Sequence, residues 1–253
     1  YGNNLFVAVG QNGTILTSPD GTNWTARNSE TTSWLSGVTY ANNLFVAVGE
    51  DGTILTSSDG ANWTAQNSGT TNWLFGVTYG NNLFVAVGTR GTILTSPDGA
   101  NWTAQNSGTT SWLSGVTYGN NLFVAVGENG TILTSSDGAN WTAQNSGTGR
   151  RLNSVAFGND RFVAVGSWGS MLTSADGANW TEPSPESSTW LNSVAYGNGL
   201  FVAVGVGGTI FTSPDGINWT EKSSGTSIWL NGVTYGNRHF VAVGNWSTIL
   251  VSP

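Results

Sequence analysis

The sequence has no cysteine, and among its 253 residues there is one histidine and one lysine. Without cysteine there is no disulfide framework and no thiolate chemistry. His239 alone nearly excludes histidine-based metal sites and catalytic triads. Charged residues make up 8% of the chain, against roughly 25% in ordinary globular proteins. Fourteen acidic and seven basic residues give a net charge of −7, which argues against a nucleic-acid partner.

Long hydrophobic runs are also missing. No apolar stretch reaches the roughly 18 residues that a membrane-spanning helix requires. We therefore predict no membrane span, and the residue types present suggest no cofactor and no metal. Because the sequence begins at Tyr1 rather than Met, we expect a leader either to have been removed or to lie outside this sequence.

What the sequence does contain is a repeat. A segment of the type Tyr-Gly-Asn-Asn-Leu-Phe-Val-Ala-Val-Gly returns every 39 residues without insertion or deletion. The repeats start at Tyr1, Tyr40, Tyr79, Tyr118, Phe157, Tyr196 and Tyr235. Six are complete and 19 residues of a seventh follow. No linker or change of composition interrupts them, so we predict one domain over residues 1–253.

Each repeat has the pattern of β-strands alone, since turn signals recur every 8–12 residues and no helical stripe is present. In one unit we predict strand A at Trp34–Tyr40, strand B at Leu44–Gly49, strand C at Thr53–Ser57 and strand D at Trp63–Asn67. Four-stranded units of about 40 residues are typical of an all-β β-propeller. We favour seven blades over six, and the alternative architecture is a linear β-solenoid.

The turn between strands C and D carries the most regular motif, Ser18-Pro19-Asp20-Gly21-Thr22-Asn23-Trp24 in the first repeat. Gly suits the left-handed position of a tight turn, and the Asp carboxylate can accept backbone N–H bonds there. We expect the Trp to point inward and close the blade. The turn aspartates are Asp20, Asp59, Asp98, Asp137, Asp176 and Asp215.

This motif resembles that of the Asp-box propellers, also called bacterial neuraminidase repeat proteins. Their box reads Ser-x-Asp-x-Gly-x-Thr-Trp, so the form found here is a shortened variant. The resemblance covers nearly the whole chain, and it implies a structural role for the Asp. The family includes sialidases, other glycosidases, assembly factors and lectins, so the resemblance supports the fold more than an activity.

An enzyme of the sialidase type is the least favoured function. The resemblance would then require three Arg on the substrate carboxylate, a Tyr–Glu nucleophile pair and an Asp acid/base. No set of the six arginines is placed by such a motif, and six of the fourteen carboxylates belong to the turns. We therefore predict no catalytic residues and no enzymatic activity.

Glycosylation is a second possibility raised by the repeats, which contain nine Asn-x-Ser/Thr sequons. Duplication copies a sequon together with its turn, so the nine are not independent signals. We nevertheless expect several to be used if the protein is secreted. The candidates are Asn12, Asn23, Asn62, Asn101, Asn129, Asn140, Asn179, Asn218 and Asn245.

The repeats differ most at the turn between strands B and C, which in a propeller shares one face with the D–A loops. Drift at exposed loop tips explains such variation, and so does a recognition face. The candidates for binding on that face are Trp168, Trp246, Arg90, Arg150 and Arg151. Exposed tryptophan beside polar groups suits a carbohydrate or a partner protein. Strand A residues such as Ser36 and Asn153 are expected to line the central channel.

Strand counting leaves an open seam in the ring, unless residues outside this sequence complete it. The sequence predicts 26 strands, where seven complete blades need 28 and six need 24. Unpaired strand edges favour association between chains. Self-association is therefore expected. Taken with the sequons and the lack of a catalytic motif, the sequence predicts a secreted, non-catalytic propeller at the cell surface or outside the cell, acting as a structural or interaction module. Its partners would be itself, in oligomers or filaments, or other extracellular proteins; the alternative is a multivalent carbohydrate-binding lectin.

Overall fold

The structure is a computed structural model that describes residues 1–183 and 188–252. These residues form 25 β-strands and seven short 3₁₀ turns, with no α-helix among them. The strands group into seven antiparallel sheets, each made of strands that follow one another in the chain.

The first three sheets, or blades, come from the amino-terminal half of the chain. Blade 1 has β1 (Phe6–Val9), β2 (Ile15–Ser18) and β3 (Thr25–Arg27). Blade 2 has β4 (Leu35–Ala41), β5 (Leu44–Gly49), β6 (Ile54–Ser57) and β7 (Thr64–Gln66). Blade 3 has β8 (Leu74–Gly80), β9 (Leu83–Gly88), β10 (Ile93–Ser96) and β11 (Thr103–Gln105).

The other four blades repeat the same order. Blade 4 has β12 (Leu113–Gly119), β13 (Leu122–Gly127), β14 (Ile132–Ser135) and β15 (Thr142–Gln144). Blade 5 has β16 (Leu152–Gly158), β17 (Arg161–Gly166) and β18 (Met171–Ser174). Blade 6 has β19 (Leu191–Gly197), β20 (Leu200–Gly205), β21 (Ile210–Ser213) and β22 (Thr220–Lys222). Blade 7 has β23 (Leu230–Gly236), β24 (His239–Gly244) and β25 (Ile249–Val251).

The predicted strands agree with these bounds to within one residue. Strand B at Leu44–Gly49 is as predicted, and strand A begins and ends one residue later than expected, at Leu35–Ala41. The strand total is one lower than the 26 predicted. The difference lies in the outer part of blade 5, where Thr181 makes only an isolated bridge to Thr173.

Local sequence explains the hairpins. The run Leu-Phe-Val-Ala-Val favours an extended strand buried on both faces, and Phe45 to Val48 are at most 1% exposed. The preceding two-residue turn places Asn42 and Asn43 at φ 50° and 57°. Such a turn needs two residues with positive φ, and Asn tolerates this conformation better than most side chains.

The seven blades close into a ring, so the chain is a seven-bladed β-propeller and the six-bladed and solenoid alternatives are excluded. At one regular boundary the ring of Tyr118 covers Gly80 of the preceding blade, where a Cβ atom would collide with the aromatic carbons. Tyr1 covers Gly236 of blade 7 in the same way. The last blade therefore packs against the first with the geometry of an ordinary boundary.

The hydrophobic core lies between the blades rather than within them. Six clusters occur, one at each boundary from blades 1/2 to blades 6/7. At the boundary of blades 3 and 4, Leu113 from strand A lies among Val87, Ile93, Ala125 and Leu133. Because all five are at most 2% exposed, burying them together stabilises the ring by several kcal/mol, at about 25 cal/mol per Å² of apolar surface.

The boundary between blades 7 and 1, here called the seam, is different. Blade 1 has no strand A and blade 7 has no strand D among the described residues. Ala8, Leu16, Val243 and Ile249 are only half-buried at the seam, although their counterparts at most other boundaries are fully buried. The predicted seam mismatch is therefore present among the described residues.

Candidate functional site

One face of the propeller is formed by the seven B–C turns together with the loops that enter strand A. The amide of Glu50, in a B–C turn, donates to the carbonyl of Trp34 at 2.8 Å. The amide of Gly13 donates to the carbonyl of Ser33 at 2.9 Å. Since these bonds hold turn and loop together, the sequence variation of both is presented on a common surface, called here the B–C face.

Aromatic side chains surround the mouth of the channel on this face. Trp34 and Trp73 lie 5.9 Å apart between ring centroids, Trp73 and Phe75 lie 5.5 Å apart, and Phe75 and Trp112 lie 6.0 Å apart. Each tryptophan immediately precedes a strand A. We call this set the collar, and its seven members are Trp34, Trp73, Phe75, Trp112, Arg151, Trp190 and Trp229.

Four of the seven collar residues are exposed. Trp34 and Trp112 are 42% and 41% exposed, and Trp190 and Trp229 are 48% and 52% exposed. A contiguous set of exposed aromatic side chains is a feature of interaction sites, whereas isolated exposed apolar residues are ordinary. These tryptophans are not among the binding residues predicted from the sequence. Their recurrence just before strand A, at the channel mouth, is the signal that could have found them.

Arg151 interrupts the collar at blade 5. Its Nη2 donates to Ser114 Oγ of the preceding blade at 3.2 Å, as Trp73 Nε1 donates to Ser36 Oγ at 2.9 Å. The arginine thus takes the same place as the tryptophan and makes the same cross-blade bond. Its Nε is buried and has no hydrogen-bond partner within the described part of the chain. A positive charge is thereby fixed at one point of an otherwise aromatic ring.

Three of the predicted binding residues, Arg151 among them, meet in one groove. Arg150, Arg151 and Trp168 line a groove of about 450 Å³ between blades 4 and 5, together with Glu128 and Asn129. Arg150 forms an ion pair with Glu182 at 3.5 Å. The ring of Trp168 lies 6.4 Å from that of Trp190. The groove is therefore continuous with the collar and combines aromatic surface with two guanidinium groups.

The other two predicted residues do not join this groove. Arg90 lies on the B–C turn of blade 3, and Trp246 lies on that of blade 7, beside the seam. Trp246 is 88% exposed, the highest value among the exposed large hydrophobic residues. Both share the B–C face with the groove but are on different blades.

Backbone conformation gives independent information on these turns. The second residue of each B–C turn has positive φ, and Asn12, Asp51, Asn129 and Gly207 are residue types that tolerate it. Arg90, Trp168 and Trp246 occupy the same position at φ 55° to 56°. A bulky side chain there is strained by about 1 kcal/mol or more. The turn geometry therefore does not favour these three residues.

The channel wall residues predicted from strand A are engaged in bonds between blades. Asn153 Nδ2 donates to the carbonyl of Leu191 at 2.8 Å, and Asn192 Nδ2 donates to that of Leu230 at 2.9 Å. Asn231 Nδ2 instead donates to Asn245 Oδ1 at 2.7 Å within blade 7. These bonds give the residues a structural role at the channel wall.

The Asp-Gly turns lie on the opposite face. In the turn of blade 3, Asp98 Oδ1 accepts the amides of Ala100 and Asn101 at 2.9 and 2.8 Å. Its Oδ2 accepts Asn101 Nδ2 at 2.7 Å. These bonds, the backbone N–H of Asn101 first, hold the pKa of Asp98 far below its usual range. The same holds for the other five turn aspartates, Asp20, Asp59, Asp137, Asp176 and Asp215.

The turn tryptophans are less uniformly buried than expected. Trp63 is 6% exposed, but Trp24, Trp102, Trp141, Trp180 and Trp219 are only half-buried. Five of the six donate the indole N–H to the carbonyl of the turn glycine, for example Trp102 to Gly99 at 2.9 Å. The Nε1 of Trp219 is buried and unpaired within residues 1–183 and 188–252.

The sequon asparagines of these turns are exposed and already have a structural partner. In all six, the side-chain amide donates to the Oδ2 atom of the turn aspartate at 2.7 to 2.8 Å. The remaining candidates, Asn12, Asn129 and Asn245, are exposed on B–C turns. Residue identity in the six repeated sequons is thus explained by the turn itself.

The described residues contain no helix able to cross a membrane. Within them, no three His, Asp or Glu side chains are grouped as a metal ion would require.

Comparison with known proteins gives structural neighbours only. No family model and no curated protein matches the sequence. "YCF48 bound to D1 peptide" is 21% identical, with a TM-score of 0.75 over 97% of this chain and 86% of that chain. "YCF48 from Cyanidioschyzon merolae" is 19% identical, with a TM-score of 0.76 over 98% and 90%. The computationally designed Ika8 protein is 16% identical, with a TM-score of 0.70 over 99% and 81%.

At these identities the likeness shows the propeller fold alone.

Proposed function

We propose that this protein is a non-catalytic interaction propeller that binds an extended segment of a partner protein on its B–C face. The observation that carries the proposal is the collar of exposed aromatic residues, continuous with the groove of Arg150, Arg151 and Trp168. One neighbour of the same fold, "YCF48 bound to D1 peptide", carries a bound peptide, and this supports the proposal.

The site specifies the chemistry of its partner. Aromatic rings that are half exposed bind apolar or aromatic side chains, which lose contact with water on docking. The two arginines add donors that suit a carboxylate, either of an acidic side chain or of a chain terminus. We therefore expect a segment in which apolar residues flank a carboxylate. The strained conformation of Trp168 supports this role, since the turn alone would favour Asn.

The test reverts the site to the residues of the other repeats. Trp168→Asn restores the residue found at Asn129, and Arg151→Trp restores the residue found at Trp112. A random peptide display library is selected against the original protein and against the double variant. The proposal predicts enriched sequences with aromatic and acidic residues for the original protein alone. Equal enrichment by both proteins, with the double variant folded, contradicts it.

A lectin is the second candidate, favoured by the exposure of Trp168 and its position beside Asn129, Arg150 and Trp190. An indole face beside polar donors also binds sugar rings. A glycan array with the same two proteins separates the candidates. Glycan binding that Trp168→Asn abolishes, without peptide enrichment, favours the lectin.

Secretion, glycosylation and self-association complete the proposal. The exposed sequons support glycosylation on a secretory route, and the open seam supports self-association. Intact mass before and after enzymatic deglycosylation of the secreted protein measures glycan occupancy. Light scattering over a range of protein concentrations measures self-association. An unchanged mass would contradict glycosylation, and a monomer at all concentrations would contradict self-association. Neither result would bear on the proposed interaction site.

A further inference from the structure

Each regular blade boundary contains a socket for one leucine. Leu113, at the start of strand A in blade 4, lies among Val87, Ile93, Ala125 and Leu133. The first two side chains belong to blade 3 and the last two to blade 4. Equivalent leucines, each at most 4% exposed, fill the sockets of the other five boundaries: Leu35, Leu74, Leu152, Leu191 and Leu230.

The seam has the walls of this socket without its leucine. Counting by the 39-residue repeat, Ala8 and Leu16 correspond to Ala125 and Leu133, and Val243 and Ile249 correspond to Val87 and Ile93. These four side chains line one groove of about 560 Å³, and all of them are half-buried. The four apolar walls that enclose the leucine at other boundaries are therefore present at the seam and accessible from the groove.

The backbone at the seam also lacks its usual partner. Among the described residues β1 pairs with β2 alone, whereas the B strand of every other blade has a strand A on its other side. In those blades the amide after strand B donates to the residue before strand A, as Glu128 does to the Trp112 carbonyl at 2.9 Å. Gln11 is the equivalent in blade 1, where the described residues supply no such carbonyl.

The inner edge of blade 7 shows the same gap. A Cβ atom on Gly37, Gly76 or Gly115 would come within 2.8 to 3.3 Å of the next blade's strand A. On Gly232 it would meet only Val243 of its own blade, at 3.4 Å. The element missing from the inner side of the seam is thus one strand A, bounded by β1 on one side and β23 on the other.

We propose that the seam groove binds one extended peptide segment of the strand A type, which adds to the open edge of β1 by antiparallel pairing. The segment carries Leu for the socket, Gly or Ser two residues later for the close approach to β4 of the next blade, and Val after that. All six internal copies of strand A have this pattern, from Leu35-Ser36-Gly37-Val38 to Leu230-Asn231-Gly232-Val233. The four socket walls are uncharged, so an uncharged segment is preferred. This site is separate from the groove of Trp168.

Binding is measured by fluorescence polarisation with a labelled hexapeptide, Trp-Leu-Ser-Gly-Val-Thr, that copies residues 34–39. We expect saturable binding, and binding at least about tenfold weaker for the same peptide with the change Leu35→Asp. No saturation up to about 1 mM peptide, or equal binding of the two peptides, overturns the proposal.

A matched pair of protein variants locates the site. Ala8→Leu fills the socket from its wall, whereas Ala26→Leu makes the same change on the exposed face of β3. Binding should fall at least about tenfold for Ala8→Leu and stay unchanged for Ala26→Leu. If both variants bind alike, the peptide lies elsewhere, for example on the collar, and the proposal is wrong.

A chain with the same six residues fused before Tyr1 provides a readout that does not depend on how Ala8→Leu folds. We expect it to melt at a higher temperature and to lose binding of the free peptide. Its control carries Leu35→Asp in the fused copy. This control should melt at the temperature of the original chain and still bind the free peptide. If the original chain is a dimer that only the fusion makes monomeric, and free peptide never binds, a second copy occupies the groove instead.

Discussion

The boundary of blades 3 and 4 and the seam are built from the same side chains but differ in burial. Ile93 and Leu133 are 1% and 2% exposed on either side of Leu113. Ile249 and Leu16, their equivalents at the seam, are half-buried with no leucine between them. Strands B and C therefore do not seal a boundary by themselves. The inner strand does so by inserting a leucine, which makes each boundary a three-part interface between two sheets and one strand.

The comparison also explains why the ring still closes. At the seam Tyr1 covers Gly236. Gly21 packs against Val241, since a Cβ atom at Gly21 would lie 3.1 Å from Val241 Cγ2. These contacts belong to the face of the Asp-Gly turns. The missing contacts belong to the B–C face, where the groove opens. A propeller boundary thus has two halves, and one half persists without the other.

The largest expected effect acts on all six Asp-Gly turns at once and is produced by acid. The pKa of each turn aspartate is far below the value of about 3.9 that an aspartate has in an unfolded chain. Their contribution to stability is therefore complete above about pH 5, and it is lost progressively as the pH falls below about 4. Melting temperature measured from about pH 8 to 2 should be flat and then fall steeply.

Asp98→Asn is the control for that titration. It should lower the melting temperature at neutral pH and make the fall in acid shallower. A flat profile down to about pH 2, or a fall between about pH 7 and 5, contradicts the assignment.

The next effect compares the two boundaries directly. Ile93→Ala removes a side chain that is 1% exposed, and we expect a loss of about 3 kcal/mol in the free energy of unfolding. Ile249→Ala removes the same atoms at the seam and should cost about 1 kcal/mol, because the site is already open. Denaturant titration measures both. Equal losses would show that the seam is as well packed as the other boundaries.

A third effect concerns two turn tryptophans. Trp102 Nε1 donates to the Gly99 carbonyl at 2.9 Å, whereas Nε1 of Trp219 is buried without a partner among the described residues. Substitution by Phe removes similar packing from both. We expect Trp102→Phe to cost about 1 kcal/mol more than Trp219→Phe, since only the former breaks a hydrogen bond. Equal costs in denaturant titration would mean that Trp219 is also hydrogen-bonded in solution.

The sequence predicted regular features well and local exceptions poorly. The repeat placed the Leu44–Gly49 strand correctly, because an apolar run between turn signals allows little choice. It also grouped Arg150, Arg151 and Trp168 on one face, because loop order in a propeller is fixed by topology. It did not select the collar tryptophans, since their exposure depends on how neighbouring blades pack. The seam groove likewise follows from two distant segments, Ala8–Leu16 and Val243–Ile249, meeting across the ring.

The smallest effect tests whether the B–C face has been shaped for binding at the expense of stability. Trp168 and Trp246 hold positive φ at a position where Asn129 is well accommodated. Trp168→Asn and Trp246→Asn should therefore each raise the free energy of unfolding, by a few tenths to about 1 kcal/mol. The reverse change, Asn129→Trp, should lower it by a similar amount. Only Trp168→Asn should also weaken peptide binding in the groove of Arg150 and Arg151, since Trp246 lies at the seam. Should Trp168→Asn instead destabilise the protein by more than about 1 kcal/mol, the contact with Trp190 is part of the fold and Trp168 is a packing residue.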